Sequence, residues 1–426
     1  MQNNDRKPEI RFSGFEAGWK KKCFGDEFDI LSNNTLSRDF LNYDQGIAKN
    51  VHYGDVLIKF NEYLDASKEV LPYIEDKKVI DKFQNSFLRD GDIVIADTAE
   101  DETVGKCTEI GQISDLPIIA GLHTMPCRPK AKYAPMYLGY YLNANAYHRE
   151  LLPLMQGVKV TSISRSGVKD TDIIVSEEYD EQKKIGQFLF TLDEKIKFEQ
   201  DKLDRLIILK KSMLEKMFPQ GNSKVPEIRF RKYTDEWEQR KLGDVAELTS
   251  SKRIHAEDYV DSGIPFYRGK EISELRVQKP VSEVLYITEE KYEEITKIYG
   301  SPKKNDLLIT AVGTLGNTWI VDKLPFYFKD GNLIWFKNIK CNSRYLDYAL
   351  GTSEGQKKIM ESAIGSNQKA LTMVKLNELK FMFPNEAEQE QIATYFTNLD
   401  NLITFHQRKV DKLKNIKSSC MDKMFV

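Results

Sequence analysis

The residues that catalysis usually recruits are scattered along this chain. The histidines stand at 52, 123, 148, 255 and 406, and the cysteines at 23, 107, 127, 341 and 420. No CxxC and no His-x-x-x-His spacing occurs among them, which leaves a disulfide framework or a zinc site with little support. There is no Walker A loop and no GxGxxG, so no glycine-rich turn is set to cradle a phosphate. No Pro-Pro dipeptide occurs, which removes the Asn/Asp-Pro-Pro-aromatic signature of amino-methyltransferases. Glu75-Asp76-Lys77 and Glu289-Glu290-Lys291 have a nuclease-like acid-x-lysine spacing, but a chain with 30% charged residues produces such triplets by chance. Recognition chemistry is better represented. One polar loop runs from Gln156 and Gly157 to Arg165, and its partner runs from Gly365 to Thr372. Two more are Thr310-Ala311-Val312-Gly313-Thr314-Leu315-Gly316-Asn317-Thr318 and Tyr267-Arg268-Gly269-Lys270-Glu271. Arg and Lys suit phosphates and guanine edges, Asn and Gln suit adenine, and glycine lets the backbone come close.

These loops lie in a chain that repeats itself. Residues 8–30 and 226–248 share PEIRF, Trp19/Trp237, Gly25/Gly243 and Asp26/Asp244 at an offset of 218, eight identities in 23 positions. Residues 181–218 and 388–425 match at 16 of 38 positions with an offset of 207. Weaker echoes lie between, such as Ile93-Val94-Ile95 with Leu307-Leu308-Ile309, and Gly157 with Gly365. A solenoid needs several short repeats. Two copies of about 210 residues read instead as two domains and two helices with an internal pseudo-two-fold.

The second repeated block has heptad spacing. In the first copy the apolar stripe is Ile185, Leu189, Leu192, Ile196, Leu203, Leu206, Met213 and Met217, with polar interruptions at Glu199 and Lys210. In the second it is Ile392, Phe396, Leu399, Ile403, Val410, Leu413, Cys420 and Met424, interrupted at His406 and Lys417. Neither segment contains proline, and Pro219 follows the first. Thirty-eight residues at ~1.5 Å each make a helix of roughly 57 Å. Two such seams in one chain predict an antiparallel coiled coil; the alternative is that each helix packs on its own domain. In an antiparallel pair the centres meet, so Glu199 would lie near His406 and set the register; the alternative puts both at the solvent edge of the seam.

The expected fold is α+β. Two mixed α/β domains, 21–176 and 238–384, are separated by a central region 177–237 that holds the first long helix and a linker. An N-terminal segment 1–20 and a C-terminal helical region 385–426 complete the pseudo-symmetric order. Short apolar runs predict strands at 55–58, 93–95, 173–175, 307–309 and 333–336, with helical stretches near 136–155 and 343–363. The formal net charge is -2, so charge alone gives no reason to propose nucleic acid. No apolar run approaches the ~18 residues of a membrane span, and the first residues lack a hydrophobic signal region, so a cytoplasmic protein is expected.

The duplicated PEIRF…W…GD entries and the helices EQKKIGQFLFTLDEKI and EQEQIATYFTNLDNLI carry a resemblance over essentially the whole chain. It resembles the specificity (S) subunit of type I restriction–modification enzymes. The resemblance implies that each variable domain is a target recognition domain reading one half of a bipartite DNA target. It implies that the helices set the spacer and dock two methyltransferase (M) subunits, and that restriction (R) subunits join the complex. S-adenosylmethionine, ATP and Mg2+ would then belong to the partners, with no cofactor and no catalytic residue in this chain. By position in the family pattern, the implied DNA contacts are Lys159, Thr161, Ser162 and Arg165, with Asn367, Gln368 and Lys369 in the partner loop. Arg268, Lys270, Thr314 and Asn317 come next. Two rival readings are a coiled-coil scaffold without DNA and an enzyme with an unrecognised active site.

Overall fold

The computed structural model describes residues 6–114, 116–157, 159–277, 279–365 and 369–426. It contains two long helices, α1 (Tyr179–Lys216) and α2 (Glu386–Lys423), of 38 residues each. Both carry acidic residues in the first turn and a lysine in the last, which suits the helix dipole. The chain divides into two compact units. Unit one is residues 1–199 with 409–426, and unit two is residues 200–408. The division passes through both long helices, so each unit is a globular region plus part of α1 and part of α2. No described helix is long and apolar enough to cross a membrane.

Unit one is built on a five-stranded sheet in the order Phe28–Ile30, Thr124–Pro129, Ile93–Ala96, Cys107–Gly111, Tyr63–Asp65. All neighbours are antiparallel except the last pair. The Ile93–Ala96 strand is buried on both faces, and its side chains alternate between two cores. Ile93 and Ile95 face a core that includes Ile185, Leu189 and Leu192 of α1 and Met421 and Met424 of α2, whereas Val94 and Ala96 face a smaller core with Val56, Leu64 and Ile110. Residues 55–58 belong to a helix, Tyr53–Ile58, and not to the expected strand. The His52 imidazole caps it by accepting from Gly54 N, and Val56 is buried while Ile58 is 89% exposed. An apolar run of three residues behind Asp55 fits either element, and the local cap decides it here.

Unit two repeats the plan with other residues. Its main sheet has the order Glu247–Thr249, Leu333–Lys337, Leu307–Thr310, Thr318–Ile320. Each globular region is closed at its base by an antiparallel strand pair, Lys20–Cys23 with Asp172–Val175 in unit one and Glu238–Lys241 with Lys380–Phe383 in unit two. Entry and exit of each region therefore lie side by side next to the helices.

The two long helices pack on each other in antiparallel sense, and each also packs on a globular region. In unit one, Asp193 pairs with Lys417 at 2.7 Å and Glu199 with Lys409 at 2.6 Å, so numbers rise along α1 as they fall along α2. In unit two, Leu206, Met213 and Met217 share a core with Ile392, Phe396 and Leu399. Leu203 and Val410 are buried, and Ile196, Ile403 and Leu413 are half-buried. Glu199 is not at the solvent edge. It is 4% exposed, on the buried stripe between Leu192 and Leu203, and its carboxylate accepts from Lys409. His406 is half-buried, with its ring 5.3 Å from that of Phe405.

The repeated polar residues have a structural role. In unit one the Arg11 guanidinium makes a two-pronged bond to the fully buried Glu181 at the head of α1, at 2.6 and 2.9 Å. In unit two Arg229 does the same to Glu388 of α2, with both bonds at 2.8 Å. Ile10 N donates to Lys423 O, and Ile228 N donates to Lys216 O, so each PEIRF segment bridges the start of one long helix and the end of the other. The next residues, Gln182 and Gln389, hold the loops that lead into short helices by accepting from Ala134 N and Asn342 N. Higher up, Tyr140 and Lys417 converge on Asp193, and Tyr348 and Lys210 converge on Asp400. The two copies differ in detail. Trp19 Nε1 donates to Glu181, whereas the equally buried Trp237 Nε1 has no partner among the described residues. Glu62 of unit one is a second acceptor for Lys417.

The Arg–Glu clamps should dominate local stability, because removing one partner leaves a buried charge without its counterion. Arg11→Met and Arg229→Met should each cost about 3 kcal/mol in urea unfolding. A loss below about 1 kcal/mol would reduce the clamp to an ordinary surface pair.

Glu109 supplies a pH dependence. Its carboxylate is buried and accepts from Met136 N at 2.6 Å and Gly139 N at 3.0 Å. Burial outweighs those donors and pushes its pKa up from 4.5 to about 7. A raised carboxyl pKa favours the folded state at low pH, and that stability is lost as pH rises from about 4.5 through about 7. Glu109→Gln should therefore become more stable relative to the parent protein by about 3 kcal/mol between pH 4.5 and pH 8. Thermal melts across that range would refute the assignment if the difference stayed constant.

Candidate nucleic-acid interface

A hairpin at 156–162 stands at the edge of unit one. Gln156 and Ser162 exchange backbone hydrogen bonds at 3.0 and 2.9 Å. Gly157 turns it with φ +123°, and a Cβ there would lie 1.9 Å from Val160 O, so only glycine fits. The returning arm, Thr161–Ser162, pairs with Thr98–Ala99, and Ile163 N donates to Asp97 O at 2.9 Å. Unit two contains the same device. Ile364 and Ala370 exchange bonds at 2.9 and 2.8 Å, Gly365 has φ +122°, and Leu371 N donates to Ala311 O at 2.9 Å. The described arms of the two loops paired by sequence are thus equivalent, each closed by a pair of backbone bonds next to a left-handed glycine.

The nominated residues are distributed over these hairpins as follows. Lys159 is exposed at the turn and Ser162 is exposed on the returning arm, while Thr161 is half-buried. Arg165 opens the short helix Arg165–Lys169, whose N-cap is Ser164. Its guanidinium donates to Leu31 O at 3.1 Å and Asn33 Oδ1 at 2.5 Å, so it also ties down the 31–33 loop. Lys369 is exposed, and Asn367 and Gln368 lie outside the described residues.

In unit two the remaining loops meet beside the hairpin. Val312 bridges to Ala370. Gly269 is close enough to Thr310 and Val312 that a Cβ there would touch both. The 310–318 loop is a tight turn. Thr310 Oγ1 donates to Thr314 O and accepts from Asn317 N, with Gly313 and Gly316 at φ +81° and +79°. Thr314 is exposed. Asn317 is half-buried and donates to Ser273 Oγ at 3.0 Å. Arg268 precedes the helix Gly269–Arg276 and is ion-paired with Glu271 at 2.6 Å. That hydrogen bond is the main cause of its raised pKa. Lys270 is exposed, 3.2 Å from Glu283. Of this group, Lys270 and Thr314 are open, whereas Arg268 and Asn317 hold the loops together.

Sequence reasoning missed part of the unit-one surface. Beside its hairpin lie Thr98, His123, Tyr53, His52 and Arg38. His123 Nδ1 is 3.3 Å from Thr98 Oγ1, and its ring is 5.2 Å from that of Tyr53, which in turn is 4.7 Å from His52. Arg38 reaches His52 and makes a two-pronged pair with Asp55. Burial, followed by the Arg38 charge, lowers the His52 pKa. The available signal was that a glycine stands two residues from each histidine, in His52-Tyr53-Gly54 and Gly121-Leu122-His123. No group of three or more His, Cys, Asp or Glu among the described residues could hold a metal.

Residues 234–415 match the family model described as the type I restriction modification DNA specificity domain. The chain carries a type I specificity domain. The match covers less than half of the chain and agrees with the resemblance carried by its duplicated motifs. A type I restriction enzyme specificity subunit of Haemophilus influenzae is 33% identical over 171 residues, 38% of this chain and 41% of that protein. The MjaVIII specificity subunit of Methanocaldococcus jannaschii is 21% identical over 254 residues, 57% of this chain and 59% of that protein. The chain thus spans about half the length of these curated relatives. The solved S subunit from M. genitalium superposes with a TM-score of 0.63 at 14% identity, covering 99% of both chains. A chain from a structure of type I R-M complex assembly superposes with a TM-score of 0.51 at 15% identity, covering 96% of this chain and 97% of that one. At these identities the solved structures support a shared α+β fold.

Proposed function

We infer that this protein is the sequence-reading subunit of a type I restriction–modification complex. Each globular region reads one half of a bipartite DNA target. The observation that carries this reading is the same hairpin built twice, turned by Gly157 and Gly365, and surrounded in each unit by different polar loops. A surface repeated in backbone but not in side chains suits two related tasks with different targets, here two unlike half-sites. Phosphate contacts would position each unit, and side chains at the hairpins would reach base edges. A duplicated sequence suits a target made of two half-sites, as paired recognition modules do.

On this reading the two long helices set the length of unread sequence and dock two M subunits. R subunits complete the assembly. S-adenosylmethionine, ATP and Mg2+ act on those partners, and this chain contributes recognition without catalysis. Its net charge of -2 suits such an arrangement, because partner subunits would supply much of the phosphate contact.

Co-expression with the cognate methyltransferase, followed by genome-wide mapping of methylated adenine, tests the reading. The expected result is one split motif with two unlike halves and a constant gap. A contiguous motif, or no methylation by an intact complex, would overturn it. Within that assay, Lys159→Ala combined with Arg165→Ala should reduce selectivity for one half-site at least fivefold and leave the other half unchanged. An unchanged motif would remove this loop from the interface.

A further inference from the structure

The His123 side chain has a fixed hydrogen-bonding sense. The Thr98 hydroxyl has one proton, and it donates that proton to Asp97 Oδ1 at 2.9 Å. Toward His123 Nδ1, 3.3 Å away, Thr98 Oγ1 can therefore only accept. Asp97 Oδ1 lies 3.6 Å from the same nitrogen and favours the same arrangement. Nδ1 carries the proton, and in the neutral ring Nε2 is left as a lone-pair acceptor. Nothing among the described residues is hydrogen-bonded to Nε2, and the side chain is 46% exposed. The ring packs edge-on against Tyr53, which limits its swing. His123 also has a left-handed backbone, φ +53°, a conformation that places it at the tip of its turn. Thr98 belongs to the strand that pairs with the 156–162 hairpin, so this acceptor sits within the surface nominated for DNA.

We propose that His123 is a specificity-determining residue of unit one, reading the exocyclic amino group of an adenine or cytosine in the major groove through Nε2. Those two bases present an amino donor there, whereas guanine and thymine present carbonyl oxygens that a lone pair repels. Thr98 and Asp97 are positioning residues that fix the tautomer. The proposal rests on the DNA-reading function inferred above and adds one base-edge contact to it.

The test uses the intact complex and the same methylation map. His123→Asn tolerates the left-handed backbone but is too short to reach; His123→Phe keeps the ring against Tyr53 and removes both nitrogens. Both should relax a single position in one half of the motif, with methylation of guanine- or thymine-substituted sites rising at least fivefold. The second half and the gap should be unchanged. An unchanged motif in both variants overturns the proposal. Complete loss of methylation in both also overturns it, because His123 would then be structural. If the parent complex itself yields no split motif, the functional reading fails instead.

Discussion

The buried bond between an arginine and a glutamate at the head of each long helix is the contact on which the rest depends. Arg11 and Glu181 form it in unit one, Arg229 and Glu388 in unit two. A guanidinium offers a planar fork that matches a carboxylate, so the bond fixes both distance and orientation. The adjacent backbone bonds, from Ile10 to Lys423 and from Ile228 to Lys216, attach the same segments to the ends of the other helices. Each PEIRF segment thereby joins a helix start to a helix end. The antiparallel pairing, the base strand pair and the helix-facing core all build outward from that junction.

The second layer is a pair of tyrosine–aspartate–lysine clusters, where a hydroxyl from a globular region and an ammonium from one helix meet a carboxylate of the other. In unit one, burial raises the Asp193 pKa more than Lys417 lowers it, so the cluster is held by complementarity in a poorly solvated place. Such clusters specify an arrangement more than they add stability. A shift of one helical step would separate the aspartate from both donors.

Much of this was legible in the sequence because periodicity survives translation into structure. The heptad stripes became the long helices, and the runs at 93–95, 307–309 and 333–336 became central strands. Residues 55–58 did not, since the three apolar residues after Asp55 lack the length to separate period two from period 3.6. The Arg–Glu clamps were written in both repeated blocks, but pairing two polar identities 170 residues apart needs the fold. Glu199 was read as a gap in an apolar seam, although a lysine one turn away on the neighbouring helix can satisfy it. His52 and His123 were weighed only as metal ligands. Their contacts come from separate segments of the chain that no local spacing connects.

The base strand pairs have a consequence for how such a chain can change. Lys20–Cys23 lies against Asp172–Val175, and Glu238–Lys241 lies against Lys380–Phe383, so each globular region is an insertion whose two ends leave through one narrow neck. Recombination at the two sides of a neck could replace the whole intervening region while leaving the clamp and helices intact. The regions are not equally interchangeable, however. Glu62 reaches out of the first one to Lys417, and a replacement without that carboxylate would leave the lysine with Asp193 alone.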